Sequence, residues 1–97
     1  MIEQGDASLR VTVPMVIANA RTLLEVGRSF LPAGAQHELT LLDLSAVREI
    51  DSSALSVILA WLRTAGERGV VLRIVSPPAS LISLATLYGL CELLPIA

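Results

Sequence analysis

The sequence predicts a single α/β domain, in which helices pack on a small and mostly parallel sheet. Two short apolar runs, Leu39–Leu44 and Val70–Val75, are typical of buried strands. Between them, apolar residues recur at the spacing of one helix face, at Leu55, Ile58, Leu59 and Leu62. A strand, a helix and a strand in so few residues form a βαβ unit, which requires parallel strands.

The first of these two strands is predicted to be central in the sheet. Its residues are apolar on both sides apart from Asp43, which is the pattern of a strand with helices on both faces of its sheet. The helix that follows should run to about Gly69, because glycine suits the left-handed turn that ends many helices. Pro77 and Pro78 end the second strand.

The N-terminal third is predicted to add one strand and one helix. Residues 1–7 are polar, and we expect them to be frayed. Leu9–Val13 alternates apolar with polar residues, which is typical of a half-exposed strand. A helix is predicted over Val16–Phe30, before a loop that contains Pro32 and Gly34. Its core-facing residues should be Val16, Ile17, Ala20, Leu23, Leu24 and Gly27.

A last helix is predicted to begin with Ser80 as its N-cap and to end at Gly89. The stripe that faces the core comprises Leu81, Leu84, Ala85, Leu87 and Tyr88. Arg10 and Arg73 fall at outward-facing strand positions and are interpreted as solvated charges.

The composition excludes several classes of function. A chain of 97 residues is long enough for one core, and its 54% apolar content suggests that some apolar surface meets a partner. All seven basic residues are arginine and the net charge is −2, so binding to nucleic acid is not expected. One cysteine permits no intramolecular disulfide and fits a reducing compartment. We expect no secretion signal, no membrane-spanning helix and a cytoplasmic location.

The sequence also carries no motif for catalysis or for a cofactor. Without lysine there is no P-loop, and no glycine-rich dinucleotide motif is present, so no nucleotide or other cofactor is expected. His37 and Cys91 occur once each, which makes a metal site improbable on composition. Ser52, His37 and either Asp51 or Asp43 would make a triad on paper, but the G-x-S-x-G elbow is absent. His37 is better interpreted as a surface residue.

The start of the central helix is the strongest candidate site. Asp51 or Ser52 can cap this helix, with Ile50 and Leu55 at the positions of a hydrophobic staple. The simple interpretation is a cap alone. The alternative is that the hydroxyl groups of Ser52 and Ser53 lie where a phosphate is added or sensed, because a helix N-terminus favours negative charge.

A second apolar stripe on the central helix has two interpretations. Ala54, Val57 and Trp61 lie roughly a third of a turn away from the core stripe, beside Arg68. They form either the flank of a broad core or a patch that faces a partner, since tryptophan and arginine often anchor interfaces. The sequence alone leaves both open.

Several segments together resemble the STAS domain, the fold of anti-sigma factor antagonists. The segments that carry this resemblance are Leu42–Ser45, Ile50–Leu55 and Ala65–Gly69, before an apolar strand. The ending, Leu84–Leu90 with Leu94 and Pro95, is most similar to the MlaB subgroup, the STAS subunits of Mla phospholipid-transport ABC transporters. The resemblance covers Leu39–Pro95 well and the first third only in outline.

The resemblance implies a regulatory module without catalytic activity. In the antagonists, the first hydroxyl residue after the aspartate is phosphorylated by a partner kinase, and this position matches Ser52. In the Mla subunits the same position engages the transporter ATPase. Two departures from the antagonists weaken the phosphorylation hypothesis: Val13–Val16 replaces their Gly-Glu-Leu-Asp segment, and Ala54 replaces a glycine.

Two functions are therefore predicted, in order of preference. The first is a STAS subunit of a Gram-negative ABC transporter that maintains outer-membrane lipid asymmetry, held at the inner membrane through its partners. It would bind the ATPase subunit through Asp51, Ser52, Ser53, Val57 and Trp61. The second is an anti-sigma factor antagonist that binds a kinase, with Ser52 as phosphoacceptor. A small hydrolase that uses Ser52 has no supporting motif.

Overall fold

The computed structural model describes residues 1–31 and 38–97. In these residues the chain forms a four-stranded sheet and three helices. The sheet order is β1 (Ile2–Gly5), β2 (Ser8–Val11), β3 (Glu38–Asp43) and β4 (Val70–Val75). The helices are α1 (Ile17–Phe30), α2 (Ser53–Glu67) and α3 (Ala79–Leu87), and a short 3₁₀ turn covers Cys91–Leu93. The predicted α/β class, the mostly parallel sheet and the βαβ unit of β3, α2 and β4 are confirmed.

The N-terminal residues form a strand, so the prediction that residues 1–7 are frayed is wrong for most of them. β1 pairs antiparallel with β2, with Ile2 opposite Val11, and the backbone N–H of Thr12 donates to the carbonyl of Met1 at 2.9 Å. Ile2 also packs against the core. β1 is an edge strand, and most of its side chains are polar. Backbone hydrogen bonds to β2 order it, and such bonds leave no pattern of apolar residues from which the sequence could predict a strand.

The helices cover one face of the sheet. In β3, Leu42 is fully buried whereas Leu39 keeps 48% of its surface exposed. In β4, Val70, Leu72 and Ile74 are buried and Arg73 is exposed. The prediction that β3 is central is confirmed, but the prediction that both of its faces are covered is wrong. Apolar residues at both faces do not require two covering layers, since a half-exposed face tolerates them.

The helices α1 and α2 lie side by side and are joined at both ends. Near their C-termini, Arg68 donates from Nη1 to the carbonyls of Arg28 at 2.8 Å and Leu31 at 2.9 Å. Arg28 lies in the last turn of α1 and Leu31 is its C-cap residue; the carbonyl of Arg28 also accepts the N–H of Leu31 at 3.2 Å. Arg28 in turn donates from Nε to the hydroxyl of Thr64 at 3.2 Å. Gly69, with φ of 74°, ends α2 as predicted.

The last helix ends at Gly89 as predicted, but its start and the burial of two of its residues differ from the prediction. It begins at Ala79 after Pro78, without a side-chain cap, so the prediction that Ser80 is the N-cap is wrong. Leu81 and Ala85 are fully buried as predicted, but Leu87 and Tyr88 are 74% and 55% exposed. The chain turns away at Gly89, which has φ of 69°. Leu87 and Tyr88 therefore continue the apolar stripe beyond the part of α3 that packs on the core.

The C-terminal tail pairs with the outer edge of β4. The N–H of Ile74 donates to the carbonyl of Pro95, and the N–H of Ala97 donates to the carbonyl of Ile74. Within the described ranges, no helix is both long and apolar enough to cross a membrane. Two predictions lie outside the described residues: the surface position of His37 and the loop that contains Pro32 and Gly34.

A candidate docking site at the start of the second helix

The sheet places the helix starts at one edge. β2, β3 and β4 are parallel, and each is followed by a helix. The N-termini of α1, α2 and α3 therefore all lie at the carboxyl edge of the sheet, where ligands of open α/β sheets usually bind. The candidate residues Asp51, Ser52 and Ser53 lie at this edge.

The connection from β3 to α2 is fixed by backbone pairing and by burial. The N–H of Leu44 donates to the carbonyl of Val75 at 3.0 Å, and Leu44 and Val47 are buried. Further along, the N–H of Met15 donates to the carbonyl of Glu49 at 2.9 Å, and the N–H of Asp51 donates to the carbonyl of Met15 at 3.2 Å. Asp51, two residues before α2, is thus anchored to Met15, two residues before α1.

Asp51 caps both helices with one carboxylate. Oδ1 accepts the backbone N–H of Ser53 at 2.9 Å and the hydroxyl of Ser53, while Oδ2 accepts the N–H of Ile17 at 2.9 Å. Ser52 has helical dihedral angles and makes no capping hydrogen bond with its side chain. Of the two predicted capping residues, Asp51 is therefore the one whose side chain does the capping.

These hydrogen bonds also determine the charge of the site. The pKa of Asp51 is lowered, because the hydroxyl of Ser53 and then the N–H of Ile17 donate to the ionised carboxylate; partial desolvation opposes this and is outweighed. The pKa of Asp43 is lowered as well, mainly by the N–H of Ser45, which donates at 2.8 Å. The start of α2 thus carries a negative charge that is already hydrogen-bonded.

The two serines at the helix start are not equivalent. Ser53 is half-buried and donates its hydroxyl to Asp51. Ser52 is exposed, at the first turn of α2, where the helix dipole favours an anion or an acceptor. Only the side chain of Ser52 is therefore presented to a partner, which the sequence pair Ser-Ser does not reveal.

The second apolar stripe of α2 is not on the surface. Trp61 is 2% exposed, Val57 is 5% exposed and Ala54 is 1% exposed. The indole Nε1 of Trp61 donates to the carbonyl of Leu24 at 3.2 Å, and a Cβ at Gly27 would overlap the indole ring. Of the two interpretations left open above, the core flank is correct. Val57 and Trp61 are not exposed for a partner, because α1 covers them.

Two open depressions flank the exposed side of α2. One, of about 450 Å³, is lined by Ser52, Leu55, Ser56, Leu59, Tyr88 and Leu90. The other, of about 460 Å³, is lined by Ile17, Asp51, Ser52, Ser53 and Ser56. Ser52 and Ser56 line both. Ser56, which lies one turn after Ser52, is not among the residues predicted for the site, and Tyr88, predicted to face the core, lies on the surface.

The groups gathered here are hydroxyls, one hydrogen-bonded carboxylate and apolar side chains. Among the residues described, no group of three or more His, Cys, Asp and Glu is placed to hold a metal ion. The arrangement is suited to recognition by a protein surface, in which apolar contacts surround a few polar groups.

Comparisons with known proteins agree with this description. A family model described as "Mlab, STAS domain" matches residues 2–95. Nine chains of known structure match. One is a Thermotoga maritima protein described as an anti-sigma factor antagonist, with 26% sequence identity, a TM-score of 0.75, and coverage of 99% of this chain and 83% of that one. A comparison with curated proteins finds no match.

Proposed function

This chain belongs to the STAS domain family, and we propose on that premise that it is a non-catalytic subunit of a Mla-type phospholipid-transport ABC transporter. In this proposal it binds the ATPase subunit and supports its activity. Binding acts by stabilising one arrangement of the ATPase, since a partner shifts an equilibrium only through its different affinity for the two states. The description of the matching family, which names Mlab, supports the transporter over other partners of STAS domains.

The observation that carries the proposal is the exposed hydroxyl of Ser52 on a rigid helix start. Asp51 and the pairing with Met15 hold this start in place before a partner arrives. A preorganised contact surface loses little conformational freedom on binding, which favours a stable complex. The partner contact therefore centres on Ser52 and Ser56, with Asp51 and Ser53 as the residues that position it. Val57 and Trp61, which α1 covers, take no part in it.

The test is purification of a tagged chain from its native host, followed by mass spectrometry. The proposal expects an ABC ATPase together with its permease. A Ser52→Arg variant should lose them, because a long charged side chain at the centre of the contact cannot be accommodated. Ser83→Arg is the matched control, since Ser83 is also an exposed helical serine, on α3. Recovery of a small kinase in place of the ATPase would refute the proposal.

A second candidate is an anti-sigma factor antagonist controlled by phosphorylation of Ser52. The structural similarity to the Thermotoga maritima protein favours it. Phosphate at Ser52 would lie at the positive end of α2 but next to the ionised Asp51, so attraction and repulsion compete there. This candidate predicts that a kinase co-purifies with the chain and that Ser52→Asp releases it. Unchanged binding of the kinase by that variant counts against it.

A further inference from the structure

The face of the sheet opposite the described helices is apolar along two adjacent strands. We call this surface the outer sheet face and define it by six residues that alternate with the buried ones, Arg10, Leu39, Leu41, Val71, Arg73 and Val75. Leu39 on β3 keeps 48% of its surface exposed, and Leu41, Val71 and Val75 are half-buried. Parallel strands with apolar residues on both sides are usually found with helices on both faces of their sheet.

We propose that the outer sheet face is covered in the cell by a single amphipathic helix of another protein, which lies along β3 and β4 and carries a carboxylate opposite Arg73. This helix adds the second layer that a parallel sheet of this kind usually has. The inference is independent of the proposed function, because α2, the helix that carries the Ser52 site, packs on the other face of the sheet.

The apolar strip on β3 and β4 has the dimensions of one helix. Two neighbouring strands are about 10 Å wide, and a helix with its side chains is about 10–12 Å across. The strands β3 and β4 have 6 residues each, which extend about 20 Å. A helix of about 13 residues covers the same length. One such helix therefore covers Leu39 and Leu41 together with the two valines of β4.

The charges of the outer sheet face predict an acidic residue on this helix. Arg10 has an acidic neighbour in register on each side, Glu3 on β1 and Asp43 on β3. Arg73 is exposed, but it has Leu41 in register on β3 and a valine on each side of it along the same face of β4. A guanidinium that is covered by an apolar surface loses its hydration, and a carboxylate from the covering element compensates for this loss.

The size and charge of this face argue against a second copy of the chain and against a membrane. From the lengths and spacing of the four strands, the face measures about 300 Å². A stable dimer buries roughly 800 Å² on each partner. Anionic lipid attracts basic clusters, whereas the arginines of this face lie beside Glu3 and Asp43. One helix of a partner requires neither a larger area nor a basic surface.

The experiment places a photo-crosslinking amino acid at Leu39 or at Val71 of the full chain in its native host. Irradiation should link both positions to one segment of another protein, which mass spectrometry identifies. The inference requires that this segment has apolar residues at i, i+3, i+4 and i+7 and an acidic residue beside them. Capture of a segment without this pattern overturns it. Arg63, exposed on α2, is the control position, and a link from there to the same segment also counts against the inference.

Charge reversal tests the role given to Arg73. Arg73→Glu should lower the yield of the crosslink from Leu39 roughly tenfold, as the loss of an anchoring contact does. Arg63→Glu makes the same change of charge at an exposed position of α2 and should leave the yield unchanged. Replacing the acidic residue of the captured segment by lysine should restore the yield with Arg73→Glu, and failure to restore it overturns the charge pairing. Thermal unfolding verifies that each variant is folded, and Arg73→Gln replaces Arg73→Glu if the reversal unfolds the chain.

The remaining outcomes separate this inference from the proposed function. A link from Leu39 and Val71 to a second copy of this chain, to lipid or to no other molecule overturns the inference, and the contact proposed at Ser52 is unaffected. If no ATPase co-purifies with the chain, the proposed function fails. The inference still stands in that case, provided that the outer sheet face is linked to an acidic amphipathic helix.

Discussion

The backbone N–H of Ile17 donates a hydrogen bond of 2.9 Å to Oδ2 of Asp51, which lies 34 residues later in the chain. The other oxygen of the same carboxylate accepts from Ser53 at the start of α2. One side chain thus satisfies a first-turn donor in each of two adjacent helices. Asp51 is therefore a junction between α1 and α2 as well as a cap, and its loss affects both.

Asp51→Asn should lower the melting temperature at neutral pH. The amide keeps one acceptor oxygen, but its NH₂ group cannot accept from the N–H of either Ile17 or Ser53. Since the pKa of Asp51 is lowered in the folded state, the carboxylate stabilises the fold above the unfolded value of about 3.9 and this stabilisation is lost as pH falls through the folded pKa. The difference between wild type and variant should therefore shrink below about pH 4. Thermal unfolding followed by circular dichroism from pH 7 to pH 2 measures it.

Asp6→Asn is the control for this experiment, because Asp6 is an exposed residue of the β1–β2 turn. It removes the same charge without removing a shared cap. A similar loss of stability in both variants, or a difference for Asp51→Asn that does not depend on pH, would contradict the role given to Asp51. Asp43, whose pKa is also lowered, keeps part of the acid sensitivity in the Asp51→Asn variant.

Gly27→Ala should destabilise the protein. An added Cβ would overlap the indole of Trp61, which is rigid and buried. Overpacking of this kind costs about 1–3 kcal/mol, more than the roughly 1 kcal/mol that alanine gains over glycine in a helix. Gly66→Ala is the control, since a Cβ there meets nothing within 4 Å, and it should be neutral or stabilising. Urea unfolding measures both, followed by the fluorescence of the single tryptophan; equal midpoints for the two variants would contradict the prediction.

The same packing determines what Trp61→Ala does. A buried tryptophan that is replaced by alanine costs about 3–5 kcal/mol, a large part of the stability of a small domain. The expected result is loss of the folded protein and, as a consequence, of partner binding. Trp61→Ala therefore cannot test the partner interface. It could do so only if Trp61 lay on an exposed stripe of α2.

The elements that are predicted correctly from the sequence are those whose pattern of residues lies within the element itself. The βαβ unit depends on apolar runs and on the change of spacing after Asp51, and both lie within a few residues of the structure they specify. β4 was predicted with its observed limits, Val70–Val75. Gly69 and Gly89 were predicted as helix ends because a positive φ favours glycine, and both have it.

What the sequence could not provide is which element covers each apolar stripe. A helical wheel identifies Val57 and Trp61 as apolar, but it does not distinguish α1 from another protein as the cover. The same holds for the second hydrogen bond of Asp51, whose donor Ile17 is distant in the sequence. For Tyr88 the error is opposite, because the stripe continues past the end of the surface that buries it. Contacts between distant segments decide all three.

Arg68→Ala should destabilise the C-terminal end of α1. Its guanidinium donates to the carbonyls of Arg28 and Leu31, so Arg68 holds α1 in place instead of bordering a patch for a partner. Because one of these hydrogen bonds is exposed to solvent, the expected loss is roughly 1–2 kcal/mol, at the lower end for bonds to a charged group. Arg63→Ala, an exposed arginine on the same helix, should change stability by less than about 0.5 kcal/mol. Hydrogen exchange at the last turn of α1 should accelerate in the first variant only, and equal rates in both would contradict the proposed contact.

The single covered face of the sheet predicts an unequal effect of the same substitution in one strand. Leu42→Ala removes a fully buried side chain under the helices and should cost about 2–5 kcal/mol. Leu39→Ala removes a side chain that is 48% exposed on the opposite face and should cost less than about 1 kcal/mol. Each variant is the control for the other, because residue type, strand and substitution are the same. Urea unfolding with equal m-values gives the two free energies, and a similar cost at both positions would mean that a second layer covers the face of Leu39 in solution.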